Sequence, residues 1–183
     1  MLLALACAAS ATLATAADTP TSREYQVKAA FLFNFAKFVE WPAETFADSS
    51  SPIRIGVLGD DPFGQALDDV VRDETIKGRR IEVRRSRRIE DLADCQLVFL
   101  AKSESARKEQ ALSTLGAHPT LTVSDIEGFG KAGGVIQFYL DGTKLRFLIN
   151  QDVAQKRSLK LSAQLLSLGK PVSPTSGDAG EKP

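Results

Sequence analysis

Between Tyr25 and Glu40 the chain reads YQVKAAFLFNFAKFVE, with Pro42 two residues on. Proline disfavours helix in the residue before it, so a helix over this stretch stops there. On a 3.6-residue period Gln26, Ala30, Asn34 and Lys37 form one narrow polar stripe. From Ala29 to Val39 everything else is apolar: Phe31, Leu32, Phe33, Phe35, Ala36, Phe38 and Val39. A helix lying on the surface of a domain shows a far wider polar face, and this one is too short to cross a bilayer. It must be covered on two sides, within the domain or in part by a partner. The rest of the chain has to be arranged around it.

That rest alternates strands with helical patterns. Ile53–Leu58 reads as a strand running into Gly59-Asp60-Asp61-Pro62. Asp61 suits an N-cap and Pro62 a first helical position, before a helix carrying Phe63, Leu67, Val70 and Val71. Ile81–Val83 is a shorter strand. Leu97–Ala101 is continuously apolar, as in a strand buried on both faces of a parallel sheet. Ser103–Leu115 reads as a surface helix and Thr120–Val123 as another strand. Val135–Leu140 and Lys144–Ile149 then flank Asp141-Gly142-Thr143, a hairpin signal. Two short helices close the pattern, capped by Asp152 and Ser162, with an extended link at Leu159 and Leu161 and a stop at Gly169 and Pro171. The fold class is α/β, a mostly parallel sheet flanked by helices with an antiparallel hairpin near the C-terminus.

Both ends read differently from this body. Residues 1–17, MLLALACAASATLATAA, are apolar, small and uncharged, and Ala14-Thr15-Ala16 offers a small-x-small cleavage site. They read as a signal peptide cleaved after Ala16 or Ala17, so the chain is expected to be exported. Residues 171–183, rich in Pro, Gly and Ser, read as a disordered tail, leaving one α/β domain over 24–170. Cleavage removes Cys7 and leaves Cys95 without an internal partner; its place before an apolar run suggests a buried small hydrophobe.

Chemistry finds little purchase here. One histidine, His118, and one remaining cysteine cannot build a zinc cage or a catalytic triad. Gly56-Val57-Leu58-Gly59 leads into Asp60 and Asp61, which would repel a phosphate. Gly128-Phe129-Gly130-Lys131 lacks the Ser/Thr of a phosphate loop and precedes no helix. No catalytic, cofactor or metal residues are expected. Lys plus Arg balance Asp plus Glu at 23 each. Seven bases do gather in Lys77–Arg88 (KGRRIEVRRSRR), but no aromatics interleave them as nucleic-acid binding would want. A solvated strand edge explains the cluster; an acidic partner surface or anionic lipid is the alternative.

Three segments carry a resemblance. EYQVKAAFLFNFAKFVEWP (24–42) resembles the opening helix of the YfiR family of exported regulators. LTVSDIEGFGKAGGVIQF (121–138) resembles its middle signature, and LRFLINQDVAQKRSLKLSAQLLSLGK (145–170) its closing motif. The resemblance implies a periplasmic, often dimeric α/β protein that represses a membrane diguanylate cyclase. It would hold the cyclase's periplasmic sensor domain inactive, and so limit cyclic di-GMP and biofilm growth. Two departures stand out: the cysteine pairs of some relatives are absent, and Ser158 replaces a glycine, which implies a less sharp bend.

From the opening motif, Phe35, Phe38 and Trp41 are interface candidates toward that partner or a second copy of the chain. From the closing motif, Arg146 and Asn150 fall four apart on one strand face. They could hold a ligand carboxylate; alternatively Asn150 satisfies backbone groups and Arg146 pairs an acid. Two functions stay open: a protein-binding repressor, or a periplasmic sensor of a small ligand with its pocket at the carboxyl edge of the sheet.

Overall fold

The structure, a computed structural model, describes residues 20–172. The proposed signal peptide and nearly all of the proposed tail lie outside the described residues. The chain opens with helix α1 (Pro20–Phe38), then strand β1 (Val39–Glu40), β2 (Ile53–Leu58), α2 (Gln65–Val71), β3 (Thr75–Ile76) and β4 (Arg79–Ser86). There follow β5 (Leu97–Leu100), α3 (Lys108–Leu115), β6 (Leu121–Ser124), β7 (Ile136–Asp141), β8 (Lys144–Ile149), α4 (Gln151–Lys156), β9 (Lys160–Leu161), α5 (Ala163–Leu168) and β10 (Lys170–Pro171).

Eight strands form one sheet in the order β10-β8-β7-β6-β5-β2-β4-β3. From β4 to β7 every neighbour is parallel, whereas β7 with β8 and β3 with β4 run antiparallel. The hairpin register pairs Asp141 with Lys144 across a two-residue turn. Separately, β1 pairs with β9, clipping the end of α1 to the C-terminal segment. The α/β class with its terminal hairpin is what the alternating pattern required.

Central strands are buried on both faces, so the apolar mass divides into two cores. One lies under α1, α2, α4 and α5 and contains Phe35, Ile55, Phe99, Phe138 and Leu165. The other lies under α3 and gathers Leu58, Cys95, Val98, Leu112 and Phe129.

Local details differ from the pattern. Asp61 does not cap α2; its carboxylate accepts from Phe63 N–H in a turn, and the helix begins after Gly64. Asp152 is not the cap of α4 either, because Asn150 takes that role. Ser162 does cap α5, accepting from Leu165 N–H. The stretch before α3 winds as a 3-10 helix over Lys102–Arg107. Strand β4 runs well beyond Ile81–Val83 at both ends, because β3 pairs with Arg79 and Arg80 and β2 pairs with Arg84 to Ser86.

Candidate functional site

Helix α1 buries Tyr25, Lys28, Ala29, Leu32, Phe35 and Ala36, a single face at three- and four-residue intervals. It is therefore covered by the domain on one side, not two. Of its other apolar residues, Phe31, Phe33 and Phe38 pack against the margin of the same core, and Val27 faces outward. Val27 is 48% exposed, and Phe31, Phe33 and Phe38 are half-buried. Val27, Phe31 and Phe38 share one ridge with Asn34. Phe31 reaches the hairpin, with ring centroids 5.8 Å from both Phe138 and Phe147. Alternation puts Leu140, 56% exposed, on the same sheet face as Phe138. The apolar surface thus runs from the helix toward the hairpin tip.

The three interface candidates separate. Phe35 is 1% exposed, stacked 5.6 Å from Phe138 and edge-on to Phe147 at 5.0 Å, so it cannot reach a partner from the folded chain. The opening motif offered it as an interface candidate, and the helix turns it toward the sheet instead. Phe38 stays half-exposed. Trp41 is half-buried, and its indole N–H donates to the Gln96 carbonyl at 3.0 Å, tying the chain after α1 to the start of β5.

A charged cluster that sequence reasoning missed holds the other end of α1. Lys28 is 1% exposed. Its ammonium pairs with Asp125, just past β6, and with Glu24 one turn earlier. It also lies 4.2 Å from the centre of the Tyr25 ring. The Tyr25 hydroxyl donates to the same Asp125 oxygen at 2.7 Å. Burial and that carboxylate push the phenol above its ordinary value. Asp125 has a side chain 5% exposed, and its Oδ1 has no hydrogen-bond partner among the described residues. The signal was present: Lys28 shares a helix face with Leu32 and Phe35, where a lone cation needs a buried acid.

Arg146 and Asn150 are not brought together. Arg146 is exposed and pairs with Asp141 at 3.2 Å. Asn150 lies just past β8; its side chain accepts from Val153 N–H and donates to the Gly130 carbonyl. Ser158 adopts φ +58°, the left-handed conformation glycine would take, so the bend is retained at some steric expense. In the glycine-rich segment an added Cβ on Gly134 would meet the Phe129 ring at 2.2 Å. Close packing accounts for that glycine.

The basic cluster is largely neutralised within the chain. Lys77 pairs with Glu40, Arg84 with Asp94, Arg85 with Asp61 and Asp68, and Arg87 with Asp60. Cys95 is free and buried, its thiol pushed up to about 11 by desolvation.

The carboxyl edge does not supply the expected pocket. Strand order reverses between β2 and β5, where such folds open a crevice. Here an added Cβ on Gly59 would lie 2.3 Å from Ser103 Oγ, and that hydroxyl receives Asp60 N–H at 2.9 Å. Beside this closed turn lies a space of about 140 Å³. A larger cavity, about 440 Å³, opens at the opposite end, below the starts of β2, β5 and β6. His118, Cys95 and Arg54 line it.

These features define a doubly wound α/β domain whose first helix keeps part of an apolar ridge accessible. Among the described residues no group of His, Cys, Asp and Glu side chains gathers to hold a metal, and no helix is long and apolar enough to cross a membrane. The chain belongs to the YfiR/HmsC-like family (DUF4154), which matches residues 25–170. A solved conserved domain protein from Vibrio cholerae O1 biovar eltor strain N16961 shares the fold, with a TM-score of 0.56 at 9% identity. The match covers 81% of this chain and 60% of that one. No curated protein matches the chain.

Proposed function

We propose that this protein is an exported regulator that represses a membrane-bound diguanylate cyclase by binding the cyclase's periplasmic sensor domain. Membership of the YfiR/HmsC-like family supports a regulatory role. The observation that carries the contact surface is the ridge of α1: exposed Val27 beside Phe31 and Phe38, which pack against the core on one side and keep part of their rings accessible. Buried aromatic anchors dominate protein interfaces, and Phe38 with Trp41 stands where the helix ends. Phe35 supports the ridge from beneath.

The test compares deletion with substitution in the native host. Deleting the gene should raise cyclic di-GMP, and Val27→Asp or Phe38→Asp should raise it likewise while the purified variant melts near the parent temperature. Each should also lose co-purification with the cyclase. A deletion that leaves cyclic di-GMP unchanged ends the repressor reading.

A further inference from the structure

At the outer end of the sheet β4 is only partly partnered. Strand β3 borders it at Arg79 and Arg80, while β2 pairs with residues 81–86 on the inner side. Beyond Arg80 no strand among the described residues covers the outer side of β4. Lys77 and Gly78, both at positive φ, make a two-residue hairpin turn, so Arg79 exchanges its backbone bonds with Ile76. Bonded positions alternate along a strand, and Ile81, Val83 and Arg85 therefore aim N–H and C=O outward. The inner side agrees in phase, since the Ser86 carbonyl accepts from Gly59 N–H at 2.9 Å. The open stretch is residues 81–85, and its midpoint is Val83.

Sheet edges commonly use charge to keep other strands away. Here that charge is already countered within the chain. Arg84 pairs with Asp94, and Arg85 with Asp61 and Asp68. Glu82 is the exception: it is 51% exposed, and its ion pair with Arg54 is a loose one at 3.5 Å.

We propose that this edge joins two copies of the chain, β4 pairing antiparallel with β4 of the second copy about a two-fold axis through Val83. Two-fold symmetry sets a strand antiparallel to its own copy. Centred on Val83, the register places valine against valine, Ile81 against Arg85, and Glu82 against Arg84. The last two pairings each occur twice. Opposite charges directly across an antiparallel pair stabilise it, and Arg84 then bridges Asp94 of its own chain to Glu82 of the other. On the opposite face Ile81 and Val83, half-buried at the margin of the core, gain cover from the second valine and the stem of Arg85. Neighbouring registers fit worse. Centring on Arg85 sets two arginines face to face, and centring on Ile81 drives the incoming strand into β3. Strand β4 ends at Ser86, so the incoming copy stops where β3 begins.

Sedimentation of the purified protein from micromolar to millimolar concentration should show a monomer–dimer equilibrium. Val83→Pro removes an outward N–H, which an edge strand tolerates. It should weaken dimerisation about ten-fold or more while the variant melts near the parent temperature. Glu82→Lys and Arg84→Glu should each weaken self-association by about ten-fold. Mixing those two variants should restore it, because the mixed pair sets opposite charges at both contacts. A parent that stays monomeric throughout overturns the proposal. So does a dimer that folded Val83→Pro retains, or one that Phe38→Asp abolishes, since the contact then lies elsewhere. A mixture that associates no better than either charge variant alone overturns it too. Should Val83→Pro fail to fold, the charge variants decide. None of these readouts involves cyclic di-GMP, so the dimer stands or falls apart from the repressor reading.

Discussion

Lys28 carries the strongest single electrostatic demand in the chain. An ammonium taken out of water is stabilised only by the carboxylates that meet it, and removing one member strands the other as an uncompensated charge. Lys28→Met keeps the length and apolar stem but leaves Asp125 buried beside Tyr25. The expected loss is about 3–5 kcal/mol in urea unfolding, partly recovered in the double variant Lys28→Met/Asp125→Asn. A single variant within about 1 kcal/mol of the parent would show that water already screens the pair. Asp125 at a strand's carboxyl end was readable from sequence as a polar residue. Its bond to a residue 97 positions earlier was not.

Helix α1 was legible as an element and misjudged as a surface. Its period fixed which residues lie on one side, but not which side meets the sheet. Phe35 and Phe38 are both aromatic, and only the direction of approach separates a core ring from a half-exposed one. Their variants should therefore fail in different ways. Phe35→Ala removes a ring packed on Phe138 and Phe147 and should lower stability by about 3–5 kcal/mol. Val27→Asp, on the open side, should fall within about 0.5 kcal/mol of the parent. Comparable losses from both would mean that the helix is covered all round. The closing motif behaves similarly: Asn150 and Arg146 were visible as polar residues four apart, yet one caps α4 and the other pairs an acid across the hairpin.

Across the molecule, two groups held protonated by burial lie in different cores, Tyr25 against the Phe63 ring just before α2 and Cys95 in the core under α3. Each has a folded-state value above its unfolded one, so its contribution to stability is fully present below the unfolded value and lost as pH rises toward the folded one. For Cys95 that window opens near the ordinary thiol value of about 8.5 and extends to about 11. Tyr25 adds to it from about pH 10 upward. Unfolding free energy should accordingly decline by on the order of 2 kcal/mol between pH 8.5 and 10.5. Cys95→Ala should remove most of the slope below pH 10. A flat profile in the parent would mean that these groups titrate freely when folded.

The sequence by itself determined the α/β class, the hairpin and the family resemblance. Those follow from periodicity, turn residues and residue supply, which act over a few neighbours. Only the tertiary structure decided that the carboxyl edge is closed by Gly59 against Ser103, that the larger cavity lies at the amino ends, and that most of the basic run is spent on the chain's own acids. Each depends on segments tens of residues apart meeting at distances of a few ångströms. Local pattern sets which face of an element is apolar, whereas the packing of one element on another sets what that face finds there.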